Sequence, residues 1–172
     1  QRLAEQTIPV HRKPGEIIVM EGLHALNPPV LGQEAELATG IYISVRTRVR
    51  DDNGFVLHPS RIRLARRLLR DFRHRGQNYA DTVKKLRSVD RGERLYINPH
   101  KNSAAVQFDT FIPYELAVYR NEVLLYLNKV DATLLEDLGV SELMPMLRQI
   151  DPISEKFVPE HALIQEFIGD ED

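Results

Sequence analysis

Cysteine is absent from these 172 residues, which excludes disulfides and thiolate metal sites and fits a reducing cytoplasm. No apolar run approaches the roughly 20 residues of a membrane span, and no signal peptide is visible. The six histidines, His11, His24, His58, His74, His100 and His161, show no HxxxH or HxH spacing, so a zinc site is not indicated. No serine stands in a G-x-S-x-G elbow, which argues against a serine hydrolase. An excess of charge of either sign is also absent: the formal net charge is −2. Steering towards nucleic acid by global charge is therefore not expected.

The near-neutral total hides an asymmetry. Residues 46–75 are dense in arginine, whereas the segment after Asp131 is acidic and has only Arg148 and Lys156 as cations. A focused basic site follows more naturally than a basic surface. With 42% apolar and 28% charged residues, the chain suits one soluble domain, 1–172, able to bury a real core.

The arginines are ordered. In residues 60–76, SRIRLARRLLRDFRHRG, helical spacing gathers Arg63, Arg66, Arg67 and Arg70 into one stripe. Leu64, Leu68 and Phe72, with Ala65 and Leu69 beside them, form the opposite apolar face. Crowded guanidinium groups repel one another unless an anion lies against them. Guanidinium also matches phosphate in geometry and donor number. A helix closing over a polyphosphate is one reading. A solvated face stitched to nearby carboxylates is the other, and a nucleic-acid or lipid surface is a third.

Around that helix the chain alternates between strand and helix signals. Lys13-Pro14-Gly15 is a turn. Residues 16–20, EIIVM, read as a strand buried on both faces, with Glu21 at its carboxyl end, where open α/β sheets place ligands. A second core strand is expected over 41–45, and Asp52-Asn53-Gly54 marks a loop. Ser60 is a candidate N-cap and Gly76 a helix stop. Helices are expected over 79–89, 113–130, 141–150 and 159–168, a third strand over 104–108, a turn at 91–93 and a frayed acidic tail at 170–172. Tyr114, Tyr119 and Tyr126 belong to helix packing rather than to a base-stacking platform. The pattern is α/β with a mainly parallel sheet, and its missing strands are expected upstream of Gln1.

GEIIVMEGLHALNP, RIRLARRLLRDFRHRG, DTVKKLRSVDRGERLYINP, PYELAVYRNEVLLYL and VPEHALIQEFIG, in that order, resemble the uridine kinase and phosphoribulokinase family, nearest its bacterial nucleoside kinases. The resemblance runs from about residue 15 to 169. It implies part of a P-loop kinase fold, a parallel sheet wrapped by helices, with an Arg-rich lid at about 58–78. It further implies ATP and Mg²⁺ as cofactors and a nucleoside or similar sugar hydroxyl as acceptor, in a cytoplasmic enzyme. Carried over by position, Glu21 would help organise Mg²⁺, directly or through water. His24 and Asn27 would lie near the acceptor, with Arg67 leaning towards it. Arg66, Arg70 and Arg75 would bind the nucleotide, Arg70 and Arg75 at the transferring phosphoryl group, while Arg63 and Arg66 position the lid.

The departures are as informative. No GxxxxGK[ST] occurs here, so nothing in these residues cradles phosphates from backbone N–H groups. Ala105, Asp109-Thr110 and Asp170 replace residues usual in the family, and Gln77 leaves the nucleoside open. Two functions are therefore expected. One is the lid-bearing part of an ATP-dependent nucleoside kinase, inactive without its phosphate cradle. The other is a non-catalytic module that binds an anion or a partner through the same arginines. Unpaired strand edges make homo-oligomers a further expectation.

Overall fold

The computed structural model describes residues 9–32 and 37–169; the acidic tail at 170–172 lies outside them. The fold is mixed α/β and is centred on a helix. Ordered along the chain are α1 (Pro28–Leu31), β1 (Ile41–Ser44), β2 (Val49–Arg50), β3 (Val56–Leu57) and α2 (Pro59–Arg73). Then come α3 (Tyr79–Lys84), α4 (Leu86–Gly92), β4 (Val106–Asp109), α5 (Glu115–Leu127), α6 (Ala132–Asp137), α7 (Leu143–Gln149) and α8 (Gln165–Ile168).

α2 is the axis of the core because Ile62, Leu64, Ala65, Leu68 and Leu69 are all fully buried. The helix packs against α5, α8 and α3, so it is enclosed on more than the one face its periodicity suggests. His58, not Ser60, is the N-cap, accepting from the Ser60 N–H at 3.2 Å. Pro59 then occupies the first helical position, where a missing N–H is harmless. At the other end Gly76 takes φ +58° and the Gln77 N–H returns to the Asp71 carbonyl at 2.8 Å, a left-handed stop that favours glycine.

β1 and β4 pair in parallel, Ile41 with Val106 through Ser44 with Asp109, as expected from residues 41–45 and 104–108. Neither is buried on both faces. Paired residues in this register share a face, and Ile41, Ile43, Val106 and Phe108 leave theirs exposed. β2 and β3 form a tight antiparallel hairpin around Asp52-Asn53-Gly54. There the Asp51 carboxylate accepts from the Phe55 N–H at 2.7 Å and Gly54 takes φ +85°.

Residues 16–20 correct the first strand assignment. They form no strand, and Ile17 and Val19 are 85% and 86% exposed. An interior parallel strand needs a hydrogen-bonded neighbour on each side, and the described parallel sheet contains only β1 and β4. Further along, the helix expected over 79–89 is divided between α3 and α4. It runs on through Gly92 into a π-helical turn, Glu93–Ile97, where a plain turn was expected. The last helix begins only at Gln165, and α6, capped by Asp131, was not anticipated.

Tyr119 is 1% exposed and meets the Phe167 ring edge-on at 6.4 Å. Its hydroxyl has no hydrogen-bond partner among the described residues. Burial, then the neighbouring Glu115, push its pKa upward, so it stays protonated. Tyr119→Phe removes an unpaired polar group and is expected to hold or raise stability by up to about 1 kcal/mol in urea unfolding. A clear loss would show that the hydroxyl is bonded after all.

Candidate functional site

Six arginines lie on α2 and a seventh, Arg75, follows it. They fall into two groups. Arg61 donates to Glu142 at 3.1 Å and to the Leu138 carbonyl at 3.1 Å. Arg63 reaches both Glu93 oxygens, at 2.8 and 2.7 Å, and the Val45 carbonyl. Arg73 bridges Glu122 and Glu155, at 2.9 and 2.6 Å, and donates to the Ile168 carbonyl. Burial alone would disfavour the Arg73 cation; the hydrogen bonds to the two glutamates outweigh it and raise the pKa.

Arg66 belongs to the same group, which revises its place in an outward stripe. It is 8% exposed, and its guanidinium meets the fully buried Glu115 through two bonds of 2.6 and 2.9 Å. Thr110 accepts twice more, at 3.2 and 2.6 Å, and the Phe167 ring centroid lies 5.2 Å away. Glu115 also accepts from the Ile112 N–H at 3.0 Å. The donors of Arg66 are thus turned into the protein rather than towards a nucleotide. Its role here is to dock α2 on the start of α5.

Arg67, Arg70 and Arg75 are held far more loosely. Arg67 has no hydrogen bond or ion pair among the described residues although it is half-buried. Desolvation, with Arg70 and Arg63 close by, lowers its pKa against the pull of Asp71 and Asp90. Arg70 has only long contacts, 3.5 Å to the half-exposed Glu166 and 4.0 Å to Asp71. Its buried Nε lacks a hydrogen-bond partner among the described residues. Arg75, half-exposed, touches Asp71 at 3.3 Å. Asp71 is buried and also accepts from the Thr82 hydroxyl at 3.1 Å. It is the one acid set between the two flanking arginines, and sequence spacing did not single it out.

The acceptor and metal residues are not drawn into this group. Glu21 and His24 are exposed and Asn27 is half-buried. No hydrogen bond or ion pair among the described residues joins them to the arginines. The His24 ring meets Tyr96 edge-on at 6.2 Å, and Leu26 packs on Gly40 just before β1. Residues 24–27 therefore sit near the amino ends of β1 and β4. No group of three or more His, Asp or Glu able to hold a metal is gathered among the described residues. Mg²⁺ is commonly held by one or two carboxylates together with substrate phosphates, and Glu21 is the residue here that the motif likeness offers for it.

His58 adds a pH dependence to the same helix. Its Nδ1 accepts from the Ser60 N–H and so must be unprotonated. Although the ring is exposed at its rim, partial desolvation, then Arg48, Arg63 and Arg61, lower its pKa below 6.5, against Glu93. The unfolded chain then takes up a proton at higher pH than the folded one. Stability is complete above about pH 6.5 and declines as pH falls below it. His58→Asn, a cap that does not titrate, is expected to flatten melting temperature between about pH 7.5 and 5.5. An undiminished pH dependence in the variant would exclude His58 as its source.

Compared with known proteins, the chain matches no protein-family profile, no curated protein and no solved structure. The resemblance drawn above rests on the motifs alone. Among the described residues, no helix is long and apolar enough to cross a membrane.

Proposed function

We propose that these residues form the lid-bearing part of an ATP-dependent phosphotransferase that acts on a nucleoside or similar sugar hydroxyl in the cytoplasm. One observation carries the reading. Of the six arginines on α2 and Arg75 just beyond it, those left without firm internal partners are Arg67, Arg70 and Arg75, the three that the motif likeness assigns to phosphoryl and acceptor contacts. Arg63 and Arg66, which it also assigns to positioning the lid, are fixed by Glu93 and Glu115.

The division has a mechanical logic. Phosphoryl transfer asks little covalent chemistry of the protein; its rate depends on alignment and on cations aimed at charge spread over the transferring group. A cation held by a strong internal ion pair has no donors left for that task. A half-buried guanidinium beside two others is already poorly compensated, and an arriving oxyanion relieves the repulsion. Arg67 and Arg70 meet that description, with Arg75 reached through Asp71. Because α2 is the central helix of the core, these cations are preorganised in place rather than carried in by a moving element.

The reading requires a phosphate cradle from sequence additional to these residues, since none of them forms a Gly-rich loop with Lys-Ser/Thr. Its test is a coupled kinase assay on the longest natural chain against a panel of nucleosides with ATP and Mg²⁺. ATP-dependent phosphorylation of one of them is expected. A chain that carries the Gly-rich loop yet turns over no nucleoside or sugar would overturn the reading. A second reading, an anion-binding module without turnover, is favoured by the separation of Glu21 and His24 from the arginines; it predicts oxyanion binding and no reaction.

A further inference from the structure

A second cationic feature lies at the carboxyl ends of the parallel strands. β1 ends at Ser44 and β4 at Asp109, and both line a cleft of about 520 Å³. The amino end of α2, with His58 and Pro59, forms another wall. Arg46, Arg48, Arg63 and Lys101 also line it. Crevices beyond the carboxyl ends of parallel strands are where open α/β sheets hold ligands, and the volume suits a small molecule.

The acids of the cleft offset only part of this positive charge. Both Glu93 oxygens are taken by Arg63, at 2.8 and 2.7 Å. Asp109 accepts from the Arg46 and Phe111 N–H groups at 3.0 and 2.9 Å and from the Thr47 hydroxyl at 2.7 Å. Burial opposes ionisation of Asp109, but these donors outweigh it and hold its pKa below the usual carboxylate value. That leaves the side chains of Arg46, Arg48 and Lys101 with no hydrogen bond or ion pair among the described residues. The four cations of the cleft exceed its two carboxylates by two charges, beside the positive end of a 15-residue helix.

We infer that this cleft binds a small phosphorylated metabolite, with Arg46, Arg48 and Lys101 as its oxyanion contacts. The half-buried Tyr42 and the neutral His58 on the same walls suit the ring or sugar of a phosphate ester. The inference does not rest on the phosphotransferase reading, because Arg67, Arg70 and Arg75 are not among the residues that line the cleft.

Calorimetric titration of the whole 172-residue chain with inorganic pyrophosphate, uridine monophosphate and uridine tests it. Pyrophosphate and the monophosphate are expected to bind and uridine is not. Tighter binding of the monophosphate would assign the site to an organic ester, and tighter binding of pyrophosphate to a free polyanion; both keep the oxyanion contacts. The Arg46→Ser/Arg48→Ser variant changes two exposed side chains that have no internal bonds, so its melting temperature should hold. Its affinity for both anions should fall at least about tenfold, as loss of a charge-assisted hydrogen bond implies. Arg67→Ser/Arg70→Ser, which touches no residue of the cleft, should leave intact the share of pyrophosphate binding that Arg46→Ser/Arg48→Ser removes. Undiminished binding in the Arg46/Arg48 variant, equal binding of uridine and its monophosphate, or no saturable binding of either anion would overturn the inference.

Discussion

Glu115→Ala is expected to lower the free energy of unfolding by about 3–5 kcal/mol, the cost of leaving a buried cation without its anion. Glu115 is fully buried and Arg66 nearly so, and the two share bonds of 2.6 and 2.9 Å. Alanine would strand the Arg66 guanidinium against Thr110 and the Phe167 ring. It would also orphan the Ile112 N–H that now donates to Glu115. Urea unfolding followed by circular dichroism checks the figure. Arg66→Met/Glu115→Leu, which removes both charges at similar volume, should recover most of the loss, since an apolar pair avoids the desolvation cost. A single-site loss under about 1 kcal/mol would mean that α2 is held on α5 by apolar packing alone.

Arg70→Ala should do the reverse. In a chain complete with a phosphate cradle it is expected to lower kcat by about 10³, the lower end of what one arginine contributes to phosphoryl transfer. Stability should hardly move, because its ion pairs are long and one partner is half-exposed. The contrast with Arg66, four residues earlier on the same helix, is the informative part: the Arg66 ion pair should set stability, and Arg70 should set turnover. Steady-state kinetics beside a thermal melt separates the two. Activity within a few-fold of the wild type would remove Arg70 from the mechanism.

Periodicity found the long elements. Residues 113–130, 141–150 and 41–45 contain α5, α7 and β1, while 60–76 and 104–108 cover all but one residue of α2 and β4. What local pattern did not reveal was the surroundings of each element. Residues 16–20 have the composition of an interior strand, but a strand exists only through its neighbours. Arg66 looks like its stripe-mates in sequence; only the docking of α5, 49 residues on, turns it inward. The hairpin β2–β3 has two residues per strand, too few for an alternation to register, although Asp52-Asn53-Gly54 marked its turn.

The candidate site was partly legible for the same reason. Spacing along one helix brought out Arg63, Arg66, Arg67 and Arg70 together, yet could not say which would find carboxylates. Those acids, Glu93, Glu115, Glu122, Glu155 and Glu166, are scattered through the following hundred residues. The cleft at the strand ends draws Arg46 and Arg48 from one loop and Lys101 from a 3₁₀ turn at Asn98–Ser103. The alternation Arg46-x-Arg48-x-Arg50 directly after a strand was the available signal for it.

The arginines of α2 divide into a fixed and a loosely held group, and side-chain NMR reads that division directly. Nε–Hε resonances of the arginines would be followed while ATP is added to the whole chain at constant ionic strength. Signals of Arg67, Arg70 and Arg75 should shift and saturate together, while those of Arg66 and Arg73 stay where their glutamates hold them. Movement of Arg66 and Arg73 with Arg67, Arg70 and Arg75 unmoved would contradict the division and the function built on it.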